Sequence, residues 1–452
     1  EALQVAQACE AEEWWCAALE ILVYQTAGRP SETTARYPAF RDNAPDEALC
    51  ELQDAIWLLG AFPVMSPPGL PRFRARWLEE GCARRLAASD TIFWLADPLY
   101  IAEGNDRRVE HLSRSLKVRL TNEFQAAWRM PNEIARVYRR QRIIRRGPWN
   151  SYDRVNRLPG GAPGGVGWAL WASEYAAPYH FVPDVPAEGL EGFDRPTWDL
   201  MAELEDEGYK PSYGTFHLVR TQLARFREPG EPGAIKVAAA AGVSGTPMED
   251  AAESGYLVFT DGPGSFPLQL SAPFNEGRAV YLAEAEAKPY VVSFEILTPG
   301  KVGWHREKIW PIGTDGAGLS DLLLYRPTGL EEPDSLLGAA ALMLPFTELG
   351  EAAGEVGLYW ETYGLEAGVP VEFELEVRGE GGLIDRLLRL LPGGPQEGPG
   401  RLAWSGPAGG EGFGRAVILD LRNLDDGSYT IVLRARQEGV EAVETSRIVR
   451  VR

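Results

Sequence analysis

The spacing of apolar residues changes once along this chain, from three-to-four to two, and that change does most to limit its fold. Between Ala2 and Ala27 the spacing is helical, with Leu3, Ala6 and Ala8, then Trp15, Ala18, Leu19, Leu22 and Val23. A second helix is expected from Ala48 to Leu59, with Leu49, Leu52, Ile56 and Leu59 on one face, before Pro63, Pro67, Pro68 and Pro71 break it. A third carries Phe73, Trp77, Leu78, Cys82 and Leu86. Residues 105–146 predict two more, divided at Met130-Pro131. From about Ala234 the period is two. Gly255 to Thr260 and Val291 to Leu297 read as strands. Pro370 to Arg378 is the clearest, with Val371, Phe373, Leu375 and Val377 facing one way and Glu372, Glu374, Glu376 and Arg378 the other. Ala416 to Leu421, Tyr429 to Arg436 and Ile448 to Val451 follow at the spacing of a sandwich.

At roughly 150 residues per domain, 452 residues allow about three domains. The expected fold class is therefore α+β multidomain. Residues 1–147 form an α-helical domain of helical hairpins, TPR-like in character. Residues 148–232, rich in Pro, Gly and aromatics, form an irregular bridging segment. Residues 233–330 form a β-sandwich and residues 345–452 an Ig-like β-sandwich, both antiparallel. Within the last, Leu424-Asp425-Asp426-Gly427-Ser428-Tyr429 matches a tyrosine corner built on Gly427 and Tyr429; an ordinary Asp-Gly turn is the plainer alternative.

All four cysteines, Cys9, Cys16, Cys50 and Cys82, lie in the helical front, and none forms a CxxC. They fit one or two disulfides in an exported protein, and they fit buried thiols of a helical core nearly as well. In one unbroken helix Cys9 and Cys16 would stand about 10 Å apart and could not pair; a break near Glu10-Ala11 lifts that bar, so the connectivity stays open. The chain starts with Glu1, which fits a removed secretion signal and equally a shortened chain. No apolar run reaches eighteen residues, so no transmembrane span is expected.

Motifs for chemistry are missing. His111, His180, His217 and His305 have no second ligand at metal spacing, and neither HExxH nor GxSxG occurs. The glycines at 160–167 lead into no Gly-Lys-Ser/Thr. No catalytic, cofactor-binding or metal residue is assigned, no cofactor is expected, and the chain is read as a non-enzyme. Charge is more informative. Lys plus Arg 45 against Asp plus Glu 65 gives −20, yet residues 105–147 hold twelve basic against four acidic side chains, a local +8 in a body of −28. Arg136, Arg139, Arg140, Arg142, Arg145 and Arg146 are the sharpest cluster, either a solvated helix face or a dock for an anionic surface. Each exposed Arg near an anionic membrane adds about 1 kcal/mol, so lipid headgroups are one candidate and an acidic protein patch another. The acidic remainder argues against nucleic acid. Trp149, Trp168, Trp171 and Trp198 form an aromatic set in the irregular middle segment, compatible with a sugar platform or a protein interface.

Phe93-Trp94-Leu95-Ala96-Asp97-Pro98-Leu99-Tyr100, with Gly104-Asn105-Asp106-Arg107-Arg108-Val109-Glu110-His111 after it, resembles the GWxTD-domain family of exported bacterial proteins. Tyr179-His180-Phe181-Val182-Pro183 and Leu319-Ser320-Asp321-Leu322-Leu323-Leu324 extend the likeness, which covers most of the chain in layout. The defining Gly-Trp-x-Thr-Asp is absent: Trp128 to Ile134 reads Trp-Arg-Met-Pro-Asn-Glu-Ile, so no role attached to that motif passes to these residues. A narrower similarity is to membrane-extrinsic subunits of bacterial photosynthetic reaction-centre–light-harvesting complexes. It implies a periplasmic, non-catalytic structural subunit, peripheral to the membrane, that holds a reaction centre within its antenna ring and has reaction-centre and antenna polypeptides as partners. The alternatives are a secreted carbohydrate- or cell-wall-binding protein and a hydrolase whose active site follows no motif.

Overall fold

The computed structural model describes residues 1–54, 81–124 (without 96, 98 and 103), 154–155, 167–168, 215–243 (without 232), 254–379 (without 275–276, 299–300, 314–315, 330–331 and 350–353) and 401–451 (without 423). It is an α+β multidomain structure, helical at the front and built from antiparallel sheets behind.

The helical part runs α1 (Ala2–Gln7), α2 (Glu13–Thr26), α3 (Pro30–Asn43), α4 (Asp46–Gln53), α5 (Cys82–Leu95) and α6 (Asp106–Phe124). Ala17, Ala18 and Ile21 of α2 meet Phe40, Leu49, Leu52, Leu86 and the i, i+3, i+7 set Val109, Leu112 and Leu116 of α6. Of the two alternatives left open between Ala2 and Ala27, the structure takes the broken one, with two helices. The chain is extended at Glu12 before α2 begins, and across the break Cys9 and Cys16 are joined with Cα atoms 5.6 Å apart. A second bond, Cys50 to Cys82, ties α4 to α5 with Cα atoms 5.8 Å apart. The described residues place α4 before Ala48, at Asp46, and carry α5 on to Leu95.

Two groups of sheets follow. In the first, β3 (Thr215–Arg227), β4 (Ala234–Val243), β5 (Ser254–Thr260), β6 (Leu268–Pro273), β7 (Arg278–Glu286), β8 (Tyr290–Thr298) and β9 (Lys301–Ile309) take the order β6-β5-β8-β9-β3-β4-β7. Two residue pairs, β1 (Arg154–Val155) with β2 (Gly167–Trp168), stand apart from it. β3 serves two neighbours in succession. Thr215 to Leu218 run parallel to β9, and Val219 to Arg227 run antiparallel to β4. The two halves of the sheet face each other across one core: Leu257, Phe259, Val292, Phe294 and Ile296 against Val219, Leu223, Ile235, Val237, Ala239 and Tyr281.

In the second group, β13 (Glu355–Tyr363) pairs with β10 (Gly318–Leu319), β11 (Leu323–Tyr325) and β16 (Phe413–Asp420). Opposite lies a five-stranded sheet in the order β12-β18-β17-β14-β15, made of β12 (Glu348–Leu349), β14 (Pro370–Gly379), β15 (Arg401–Pro407), β17 (Gly427–Gln437) and β18 (Val443–Val451). Val356, Leu358 and Trp360 meet Val371, Phe373, Leu375, Ile431, Leu433 and Val449 between the sheets. Gly357 sits where a Cβ would lie 2.1 Å from the Tyr325 ring of the paired strand, so a side chain there has no room.

The two groups share a third core. Ala224, Phe226, Ala238 and Ala240, on the outer face of β3 and β4, pack on Leu323, Tyr325, Tyr359 and the short helix α7 (Leu336–Ala341). This arrangement moves two expected boundaries. The first sheet group begins at Thr215, inside the segment expected to be irregular up to 232, because β3 is paired on both sides. The second begins at Gly318 and not at 345, because β10 and β11 pair with β13.

Candidate functional site

Most of the residues expected to dock on anionic surfaces or sugars fall outside the described residues: Arg136, Arg139, Arg140, Arg142, Arg145 and Arg146, and Trp149, Trp171 and Trp198. Gly167 and Trp168 form β2, while the other glycines of the 160–167 cluster and His180 lie outside. His111 is buried in α6 with its ring 5.0 Å from that of Phe93, while His217 lies on β3 and His305 on β9. Tyr429 donates its hydroxyl to the carbonyl of Asp425 at 2.8 Å, four residues back, and Gly427 opens β17 opposite Val451. Among the described residues no three His, Cys, Asp or Glu side chains are grouped to hold a metal ion. No helix among them is long and apolar enough to cross a membrane.

The best-built polar site is the seam between the helical part and the first sheet group. It starts from alternation on β9, which puts Trp304, Arg306 and Lys308 on one face, and from the register Ser293↔Arg306 and Glu295↔Trp304 with β8. Charged groups therefore stand on the outer face of a sheet, and the turn after α5 closes over them. Glu295 is fully buried and Arg306 nearly so. One Glu295 oxygen accepts the Tyr100 amide at 2.9 Å and the Ser293 hydroxyl at 2.7 Å; the other accepts the Ile101 amide at 3.0 Å. Arg306 stands 3.5 Å from the same carboxylate and donates through Nε to the Ser293 hydroxyl at 3.3 Å. Its guanidinium lies 3.7 Å from the centre of the Tyr100 ring and 4.7 Å from that of Trp304, a desolvated cation–π pair. Trp94 stacks beside Tyr100 and donates its indole N–H to the Thr260 hydroxyl at 3.0 Å. The carboxylate thus does the work of a capping group for two backbone amides of a different module.

Burial drives the Asp97 carboxyl in this seam well above the usual carboxylate range; Arg306 pulls it down and Glu295 pushes it up. The Tyr100 phenol is raised too, chiefly by burial, and its hydroxyl has no partner among the described residues.

A second seam joins the two sheet groups. Arg225 grips Asp321 with Nε at 2.7 Å from one oxygen and Nη2 at 2.9 Å from the other, and its amide donates to the first at 2.9 Å. Although burial works against ionisation, the Arg225 guanidinium holds the Asp321 carboxyl below its ordinary value. Gln222 donates to the carbonyls of Leu324 and Leu344, and Arg447 reaches back to those of Leu322 and Leu223. Tyr359 and Tyr363 both donate to Glu361, whose carboxyl burial pushes up. Arg225, Glu295 and Arg306 carry no sequence motif; their one signal is charge set inside strands otherwise apolar. Trp94, Asp97 and Tyr100 come from the segment 93–100 at the first seam, and Asp321 from the segment 319–324 at the second.

A groove of about 520 Å³ crosses the outer face of β14, β15 and β17, between Glu372, Glu374, Arg401, Ser405, Arg434 and Arg436. Glu374 pairs with Arg401 and with Arg434, and Arg434 also pairs with Glu444 at 2.6 Å. These charges answer one another across strands, which keeps an open sheet face in water.

No family model matches the chain, and no curated protein matches it in sequence. Among solved structures, the chain is similar over 52% of its length to a biofilm-associated protein's BSP domain, at 8% identity and a TM-score of 0.24, covering 29% of that chain. Red sea bream transglutaminase (13% identity, TM-score 0.16, 31% of that chain) and a tetra-tandem repeat from the extending region of a large adhesion protein (13%, 0.16, 49%) align over the same share. The chain therefore spans less than half the length of each of these structures.

Proposed function

We propose that this protein is a non-catalytic, membrane-extrinsic structural subunit that holds the parts of a membrane complex in fixed relation. In this reading the front is a TPR-like helical-hairpin module and the rear an Ig-like sandwich whose tyrosine corner is the Tyr429–Asp425 bond. The observation that carries it is the way Glu295 binds the Tyr100 and Ile101 amides of the helical part, with Arg306 over Tyr100. A buried carboxylate with both oxygens answered across a module boundary favours one relative placement of the modules over others, and that serves a spacer or clamp better than a hinged enzyme. The family resemblance makes a periplasmic reaction centre within its light-harvesting ring the first partner to test, with lipid headgroups facing the 136–146 cluster. Gentle solubilisation of native membranes followed by size separation is the decisive experiment: the protein migrates with antenna and reaction-centre polypeptides, and recovery only as a free monomer overturns the proposal.

A further inference from the structure

Two carboxyl groups are buried in the seam between the helical part and the first sheet group, one from each side. Glu295, on β8, is fully committed: it accepts the Tyr100 and Ile101 amides at 2.9 and 3.0 Å and the Ser293 hydroxyl at 2.7 Å, and it lies 3.5 Å from Arg306. Asp97, on the turn after α5, is buried and accepts only the Leu99 amide, at 3.4 Å, among the bonds of the described residues. The charged or titratable groups around it are Arg306 of β9, Glu295 of β8, Tyr100 of its own turn and Asp106 at the start of α6. Lys308, next on the same face of β9, turns its ammonium over the Trp310 ring at 4.3 Å, and Arg107 of α6 pairs with Glu110. Asp97 is thus a buried carboxyl with one long hydrogen bond, three residues before the Tyr100 amide that Glu295 holds.

We propose that this seam is a proton-dependent joint, seated while Asp97 keeps its proton and loosened once Asp97 is ionised. Burial, which raises the Asp97 carboxyl far above its ordinary 3.8, sets the sign. A carboxyl raised in the seated state favours seating fully below its free value of about 4, and that favour is lost as pH rises through the seated value. Rising pH therefore frees the helical part from the sheet while leaving the distant sheets intact.

The test is amide hydrogen exchange on the full chain between pH 4 and 9, corrected for the chemical exchange rate. Protection at Tyr100 and Ile101, taken relative to Ile431 in β17, is expected to fall by up to tenfold per pH unit across the window and then level. In Asp97→Asn, which keeps the shape and removes the titration, the same ratio is expected to stay flat. A flat ratio in the wild type, or the same slope in both proteins, overturns the proposal. If Asp97→Asn does not fold, the wild-type ratio decides alone, because Ile431 lies in another module and reports any global unfolding.

Discussion

Arg306→Met removes the cation from beneath the helical part while keeping the length of the side chain. Arg306 is almost wholly enclosed and Glu295 wholly so, so the substitution leaves a buried carboxylate with two backbone amides and a hydroxyl but no counter-charge. Breaking a buried pair from one side costs about 3–5 kcal/mol. The stacking of the guanidinium on Tyr100, about 2 kcal/mol when desolvated, overlaps that figure and does not add to it, because both losses belong to one cluster. With a urea slope of about 2 kcal/mol per molar, the expected fall in midpoint is about 1.5–2.5 M. Pulse proteolysis over a urea series reads it, and it separates fragments of the helical part from those of the sheets, which matters in a chain that need not unfold in one step. Glu295→Gln in the same chain removes the stranded charge and keeps an amide acceptor, so the double variant is expected to recover about half of the loss. A midpoint shift below about 0.5 M in Arg306→Met, or a double variant worse than the single, refutes the argument that an uncompensated charge is what matters here.

At the second seam, Asp321→Asn is expected to cost about 1.5–3 kcal/mol at neutral pH, the worth of a hydrogen bond to a charged group. Because the folded Asp321 carboxyl lies below its ordinary 3.8, its contribution is present above about pH 4 and disappears as pH falls through the folded value; thermal melts from pH 2 to 7 should show that acid loss in the wild type and not in Asp321→Asn. Tyr429→Phe removes one bond to Asp425 and should lower stability by about 1 kcal/mol, visible as a drop of a few degrees in Tm. Replacing Cys50 and Cys82 together by Ser opens a loop spanning 32 residues and should destabilise the helical part by about 3–4 kcal/mol, against about 2–3 for Cys9 and Cys16, seven apart; urea midpoints with and without reductant rank the two.

The strongly alternating segments were readable before any coordinates. Pro370 to Arg378 becomes β14, buried and exposed in turn, because one of its faces meets the core and the other meets water. The helix α3 was not readable. Its sequence, PSETTARYPAFRDN, includes a proline at 38 and sets few apolar residues at helical spacing, with Phe40 one of the few that reach the core. Tertiary packing by that ring outweighs the local pattern. β3 was missed for the opposite reason. Both of its faces are covered, so Val219 and Leu223 enter one core, Ala224 and Phe226 enter another, and Gln222 and Arg225 find their partners across a seam. No alternation survives in such a strand. The seam around Glu295 was likewise hidden: two charged residues eleven apart in an acidic chain say nothing until register sets them on one face beneath the turn at Tyr100. Nothing in the sequence gives Asp97 or Asp321 a partner; their surroundings come from residues far along the chain.

The doubly paired strand also bears on how the chain is made. β3 leads the sheets in sequence, yet Leu218 pairs with Trp304, and the Leu223 carbonyl receives Arg447 from 224 residues further on. At 5–20 residues per second, that last bond becomes possible roughly 11–45 seconds after Leu223 is joined to the chain. β4 and β9 follow soon after it, but the face of β3 that carries Ala224 and Phe226 waits for Tyr359, and its seam waits for Arg447. Contacts of such long sequence separation slow folding, and that face of β3 stays uncovered until they form.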